Sequence, residues 1–349
     1  MLIAVVGATG AVGQEILAIL ADRGVPAASV RALASARSTG KELAYAGDTL
    51  VVEALGEGSF AGVDVALFSA GAATARRFAP AAVASGAVVI DNSSAFRRDD
   101  EVPLVVPEVN AELIAPSGSG SAGNGGAATG RIIANPNCST IILVTALDPL
   151  RRAFGIERIV VSTYQAASGA GAAAMRELSV QTGAVLAGEE PVPVVFAEPC
   201  AFNVFSHDTP VDADTGRNVE EQKVTEETRK IFDQPDLRMS VTCIRVPVLR
   251  AHAESVNVTL SSPATETQVR DALAAAPGIA VVDNRAANDF PTSLKASGGD
   301  EILVGRIRGD ESQERDGDAW HGFELFIAGD QLRKGAALNA LQIADLLSG

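Results

Sequence analysis

Short apolar runs alternate with helical stretches over the first third of the chain. Leu2–Val6 reads as a strand and Ala11–Leu20 as a helix. Val30–Leu33, Val63–Phe68 and Ala87–Ile90 read as further strands, with Ala-rich Ala72–Ser85 between the last two, and Leu104–Val106 offers one more. Strands separated by helices form parallel neighbours, so the pattern predicts a doubly wound parallel sheet. Past residue 130 the alternation is lost. Arg131–Ala134, Ile159–Tyr164, Met239–Val246, Ser255–Leu260 and Ile279–Val282 read as strands, and Ile302–Ile307 and Gly322–Ile327 as antiparallel neighbours. Cys138–Leu150, Gly171–Leu186, Val219–Phe232, Glu266–Ala275 and Leu332–Leu347 read as helices, and Glu189–Arg217 as Pro-rich and irregular. Mixed order of this kind predicts an α+β region with a large sheet. The fold expected is α/β: an N-terminal Rossmann-type domain over 1–137, rejoined by a C-terminal helix within 331–349, and an α+β domain over 138–330.

Composition narrows the function classes. The 349 residues carry 28 Lys and Arg against 43 Asp and Glu, a net charge of −15, which opposes binding to nucleic acid or to an anionic membrane surface. A local cationic pocket for an anionic small molecule stays open. Cys138, Cys200 and Cys243 are an odd number with no close pair, which argues against a disulfide framework or a zinc ribbon; no metal site is expected. Met1–Gly7 lacks a basic flank and reads as a strand, not a signal peptide; no spanning helix is evident, and a cytoplasmic location is expected. Pro116–Gly130 is an uncharged Gly/Ser-rich stretch with linker composition, expected to form a mobile surface loop.

Three features point to chemistry. Gly7-Ala8-Thr9-Gly10-Ala11-Val12-Gly13 follows a strand and opens a helix, a spaced form of the dinucleotide fingerprint. Glycine is required there where the backbone turns and a pyrophosphate approaches helix N–H groups. The second strand ends Ala34-Ser35-Ala36-Arg37-Ser38 without the carboxylate that holds an unphosphorylated ribose. Arg37 with Ser35 and Ser38 suits a 2′-phosphate instead, which favours NADP. Cys138 stands at a helix start between Asn137 and Ser139, where backbone N–H groups favour a thiolate and an oxyanion. Cys200 and Cys243 fit inert cysteines. The base for such a thiol would be one of His207, His252 and His321. His321 beside Trp320 reads as structural, and sequence distance does not choose among the rest.

These residues carry a resemblance. Gly7–Gly13, Ser93-Ser94-Ala95-Phe96-Arg97, Asn135-Pro136-Asn137-Cys138-Ser139-Thr140, Tyr164–Gly171, Glu220–Lys223, Arg245–His252 and Gly329–Asn339 occur in the order seen in aspartate-β-semialdehyde dehydrogenases and span nearly the whole chain. The resemblance implies NADP-dependent reductive dephosphorylation of L-aspartyl 4-phosphate to L-aspartate 4-semialdehyde through a cysteine thioester, in lysine, threonine and methionine biosynthesis, by a homodimer. It implies Cys138 as nucleophile, His252 as acid/base and Gln165 as orienting group. Arg245 would hold the substrate carboxylate and Glu220 its ammonium, with Glu221 an adjacent competitor. Arg97, Asn137 and Lys223 would take the phosphate, with Arg98 the alternative to Arg97. Thr9–Val12 would meet the pyrophosphate, Arg37 and Ser38 the 2′-phosphate, and Ser168, Gly169 and Asn339 the nicotinamide. The alternatives are a reductase of another acyl phosphate, such as N-acetyl-glutamyl phosphate, or a non-catalytic NADP-binding homologue. The Gly/Ser-rich stretch departs from the family pattern and puts loop geometry, not chemistry, in doubt.

Overall fold

The structure, a computed structural model, describes residues 1–114 and 130–347; all of the Gly/Ser-rich stretch except Gly130 lies outside the described residues. The chain forms two compact units, Met1–Asn137 with Ala336–Gly349, and Cys138–Gly335.

The first unit is built on β1 (Ile3–Val6), α1 (Ala11–Asp22), β2 (Val30–Ala34), β3 (Glu42–Tyr45), β4 (Asp48–Val51), β5 (Glu53–Ala54), β6 (Val65–Phe68), α2 (Ala72–Ala84), β7 (Val88–Asp91), α3 (Pro107–Asn110) and β8 (Ile132–Ala134). Six strands make one parallel sheet in the order β5-β2-β1-β6-β7-β8. Its central strands are apolar on both faces, as a sheet covered on both sides must be: Ile3–Val6 and Val65–Phe68 are buried throughout. One face packs Ile16, Leu20, Leu341 and Ile343 against Val5 and Leu67, and the other packs Phe60, Phe78 and Ala79 against Val6 and Phe68. The C-terminal helix is therefore part of this unit's core. Two features differ from the sequence expectations. Leu104–Val106 forms only a single bridge, Leu104 to Ala134. Residues 42–51 form an unforeseen hairpin, β3–β4, whose turn places Ala46 at φ 49° and Gly47 at φ 86°.

The second unit comprises α4 (Cys138–Phe154), β9 (Ile156–Gln165), α5 (Ala172–Leu186), β10 (Phe205–Ser206), α6 (Val219–Phe232), β11 (Arg238–Arg245), β12 (His252–Ala264), α7 (Glu266–Ala274), β13 (Ile279–Val281), α8 (Ser293–Ala296), β14 (Ile302–Gly309), β15 (Arg315–Asp316) and β16 (Ala319–Gly329). The mixed sheet runs β10-β11-β9-β12-β16-β14-β13, with β15 paired to β16. Helix α4 packs on β9, β12, β14 and β16, and α6 on β11. β12 begins at His252, three residues earlier than the apolar pattern indicates, because the buried residues His252 and Glu254 are polar and mask the alternation. The closing helix is also not continuous. It opens as a π turn over Arg333–Ala337, with Gly335 N–H donating to Asp330 O at 3.0 Å, and continues as α9 (Leu338–Leu346). Asp330 causes the wider turn: its Oδ1 accepts from the N–H groups of Leu332 (2.9 Å) and Arg333 (3.1 Å), fixing the entry.

Candidate active site

In the first unit the three glycines of the loop after β1 have separate physical reasons. Gly7 sits at φ 91°, and a Cβ there would lie 2.9 Å from the Ser69 carbonyl carbon. A Cβ on Gly13 would lie 2.2 Å from Gly7 O, so α1 packs on the turn only without a side chain. Gly10 precedes α1 at φ −82° and is exposed, and the constraint on it is milder: a Cβ there would lie 3.3 Å from Gly7 O. α1 has no side-chain cap and no acid in its first turn, so the N–H groups of residues 11–13 are available to an anion. Ser35, Arg37 and Ser38 form the turn after β2, with Ser38 N–H donating to Ser35 O at 2.8 Å. Arg37 is exposed and makes no ion pair among the described residues. These features fit the phosphates of a dinucleotide.

A polar network lies at the carboxyl ends of β7 and β8 in the same sheet. Arg97 is buried, donating from Nε to Asn135 O (2.9 Å) and from Nη2 to Asn92 O (2.7 Å), whereas Arg98 is exposed. Asn339, fully buried on α9, donates to Asn135 Oδ1 (2.7 Å) and Val105 O (3.0 Å). It thus holds the Asn135-Pro136-Asn137 segment in place. Asp91, at the end of β7, accepts from Ser93 N–H (3.0 Å) and Oγ–H (2.7 Å); burial nonetheless raises its pKa.

The second unit gathers the remaining chemistry on the helix-covered face of its sheet. Register places Arg245 of β11 beside Gln165 of β9 and His252 of β12 opposite Gly329 of β16, and all are buried. Cys138 is the first residue of α4, with its Sγ 3.4 Å from His252 Nε2. Ala166 N–H donates to His252 Nδ1 at 3.0 Å, which uses that lone pair, so the neutral ring carries its proton on Nε2, facing the sulfur. Burial, reinforced by the nearby positive charge of Arg245, lowers the His252 pKa to about 3. The ring is neutral near pH 7, a donor to a thiolate or an oxyanion. Neither other cysteine is near a histidine in this way. Cys243, in the strand, is fully buried and its thiol pKa is pushed far up by desolvation.

Gln165 Nε2 donates to Ser139 Oγ (2.7 Å) and lies 3.4 Å from Glu220 Oε1. Glu220 in turn binds Lys223 Nζ at 3.1 Å through Oε2. Its rival Glu221 is occupied elsewhere: it closes a capping box with Asn218 and accepts from Cys243 N–H at 3.1 Å. Gly169 lies against His252, where a Cβ would come within 3.2 Å of ring Cε1. Ser168 Oγ accepts from Gln331 Nε2, and Gln331 Oε1 accepts from Ala251 N–H at 2.9 Å. Gln331 thereby steadies Ala251, held at φ 70°, immediately before His252. Gln331, Ser139, His207 and Glu254 are site neighbours that sequence reasoning did not assign. The Gly329–Asn339 motif was the one sequence signal for Gln331, and register alone reveals Glu254.

Residues 2–117 match the semialdehyde dehydrogenase NAD-binding domain family and residues 147–334 the semialdehyde dehydrogenase dimerisation domain family. An aspartate-semialdehyde dehydrogenase of Synechocystis is 47% identical over 99% of this chain and 96% of its own. The crystal structure of aspartate semialdehyde dehydrogenase II from Vibrio cholerae, complexed with ASA, superposes with TM-score 0.89 at 42% identity, covering 99% of this chain and 97% of that one. The Candida albicans enzyme with NADP gives TM-score 0.73 at 27% identity, over 99% and 98%. Among the described residues no helix is long and apolar enough to cross a membrane.

Proposed function

The chain belongs to the aspartate-semialdehyde dehydrogenase family, and on that premise we propose that it converts L-aspartyl 4-phosphate to L-aspartate 4-semialdehyde, with NADP as its cofactor and Cys138 as the acyl carrier. The observation that carries the reading is the Cys138–His252 pair, 3.4 Å apart at the start of α4 and flanked by Gln165 and Arg245. Cys138 attacks the acyl carbon as the thiolate, its proton given up to solvent beforehand. The S–C bond forms, the C–O bond to phosphate breaks and phosphate leaves. A reduced nicotinamide dinucleotide, held by the loop Gly7–Gly13, would supply the hydride for the thioester carbon. His252 Nε2–H donates a hydrogen bond to the developing oxyanion, and the N–H groups at the start of α4 favour negative charge beside the sulfur. Collapse of the alkoxide breaks the S–C bond, releasing the aldehyde and returning the electron pair to Cys138 as thiolate.

Arg245 is assigned to the substrate carboxylate and Glu220 to its ammonium. An N-acylated substrate has no ammonium to pair with a buried Glu220, which favours aspartyl over N-acetyl-glutamyl phosphate. Arg97, Asn137 and Lys223 are assigned to the phosphate. Gly7–Gly13, Arg37 and Ser38 would hold the dinucleotide, with Ser168, Gly169 and Asn339 assigned to its nicotinamide. Methionine, lysine and threonine precursors are the products served, and a cytoplasmic homodimer is the expected form. The sheet face opposite α4 leaves Val160, Tyr164 and Phe326 half-buried, a surface suited to a second copy.

The test is the reverse reaction followed by NADPH absorbance. Turnover is expected to need aldehyde, phosphate and NADP together, with aspartate semialdehyde preferred over its N-acetyl-glutamate counterpart. Turnover independent of phosphate, or the opposite preference, would overturn the reading.

A further inference from the structure

The substrate-binding assignment leaves His207 unused, yet both of its ring nitrogens are engaged, one by Arg245 and one by Thr209. Two-residue β10 pairs antiparallel with the end of β11, setting Phe205 opposite Arg245, and His207 N–H donates to Cys243 O at 2.9 Å. The next side chain along is thereby delivered to the guanidinium. Arg245 Nη2 lies 2.9 Å from His207 Nε2 and 3.4 Å from Asp208 Oδ1, while Nη1 donates to Ala166 O at 2.8 Å. The Phe196 ring covers the guanidinium at 5.0 Å. Arg245 is 2% exposed and its buried Nε–H has no hydrogen-bond partner among the described residues. With Nη1 also reaching Gln165 O at 3.5 Å, four of the five N–H donors are engaged and Nε–H is left for a ligand.

Guanidinium has no acceptor, so Nη2–H must donate, and His207 Nε2 must be unprotonated. The ring proton then sits on Nδ1, 3.3 Å from Thr209 Oγ1. Thr209 Oγ1 also accepts from the backbone N–H of Glu220 at 3.2 Å, in the first turn of α6. The hydrogen bonds run Arg245 to His207 to Thr209, where they meet the backbone of Glu220. The two side chains assigned to opposite charges on one substrate carbon are joined by this strap.

We propose that His207 is a positioning residue for substrate recognition, which as a neutral acceptor sets Arg245 and, through Thr209, its spacing from Glu220. The inference rests on the assignment of Arg245 to the substrate carboxylate. Burial lowers the His207 pKa; Glu220 and Asp208 oppose that, while Arg245 and Lys223 add to it. Protonation would remove the acceptor and set a second cation beside Arg245. Affinity for the aldehyde should therefore fall as pH drops through the His207 transition, below about 6.5.

The experiment compares His207→Phe, His207→Gln and Arg245→Ala in the reverse assay, between about pH 5 and pH 8. His207→Phe should raise KM for aspartate semialdehyde about tenfold, with kcat, KM for NADP and the alkylation rate of Cys138 changing much less. His207→Gln keeps an acceptor that does not titrate. It should restore most of the affinity and abolish the low-pH rise in KM that the unmodified enzyme shows. If Arg245→Ala raises the aldehyde KM but His207→Gln keeps the low-pH rise, the proposal fails while the Arg245 assignment survives. If Arg245→Ala leaves the aldehyde KM unchanged, the assignment itself fails. Equal loss in kcat and in NADP affinity for His207→Phe, without rescue by Gln, would reduce His207 to a structural role and overturn the proposal. Should His207→Phe not fold, the pH dependence of His207→Gln decides.

Discussion

His252 and Glu254 stand two positions apart on one face of β12, both fully buried, and burial keeps both neutral. For Glu254 the cost is visible: among the described residues neither carboxyl oxygen has a hydrogen-bond partner. Its folded pKa lies above the unfolded value, so its contribution to stability is present at low pH and is lost as pH rises between the two values. The slope is at most about 1.4 kcal/mol per pH unit. Glu254→Gln should accordingly gain in melting temperature, relative to the unmodified protein, between about pH 5 and pH 8. An equal difference at both pH values would show that the carboxyl is ionised in the fold. His252 acts in the opposite sense: its folded value of about 3 lies below the unfolded one, so stability is lost as pH falls. At the cofactor end, Arg37→Ala should weaken NADP by one to two decades and NAD far less, since a charge-assisted contact is worth roughly 1.5–3 kcal/mol. Equal losses for the two dinucleotides, measured by fluorescence titration, would remove Arg37 from the 2′-phosphate.

Helix α6 links a local signal to the site. Asn218 and Glu221 form a capping box, so the first turn that carries Glu220 is fixed by residues readable in the sequence. Asn218→Ala should destabilise the protein by about 1 kcal/mol in a urea titration and also raise the aldehyde KM. A loss of stability with unchanged KM would mean that Glu220 is positioned from elsewhere. Elements with strong periodicity were legible: β1, α1, α2 and α4 lie within a few residues of where their apolar spacing puts them. What escaped was set by partners distant in sequence. β10 has only two residues and exists because β11 offers an edge. The start of β12 was hidden by its polar buried residues, and the π turn before α9 depends on Asp330, which also binds Arg250 Nε at 2.5 Å. The pairing of Cys138 with His252, 114 residues apart, could be reached from the sequence only through the family resemblance; spacing left His207 and His252 both open.

At the scale of the whole molecule, the parallel sheet of the first unit and the mixed sheet of the second were both legible, because the change from strict alternation to mixed order is written in the apolar pattern. Strand register was not, and register is what puts Arg245 beside Gln165 and Cys243–Thr163–Glu254 in the buried row beneath them. The division of labour between a dinucleotide-holding unit and a unit carrying the thiol leads to one central claim, that hydride and phosphate chemistry are separated by an acyl group carried on Cys138. The direct measurement is a rapid-mixing experiment with enzyme, NADP and aspartate semialdehyde in the absence of phosphate, with intact-mass analysis of the quenched protein. The expected result is a burst of about one NADPH per subunit and an aspartyl adduct on Cys138, discharged when phosphate is added and missing in Cys138→Ala. Steady NADPH production without phosphate, or a burst that leaves Cys138 unmodified, would contradict it.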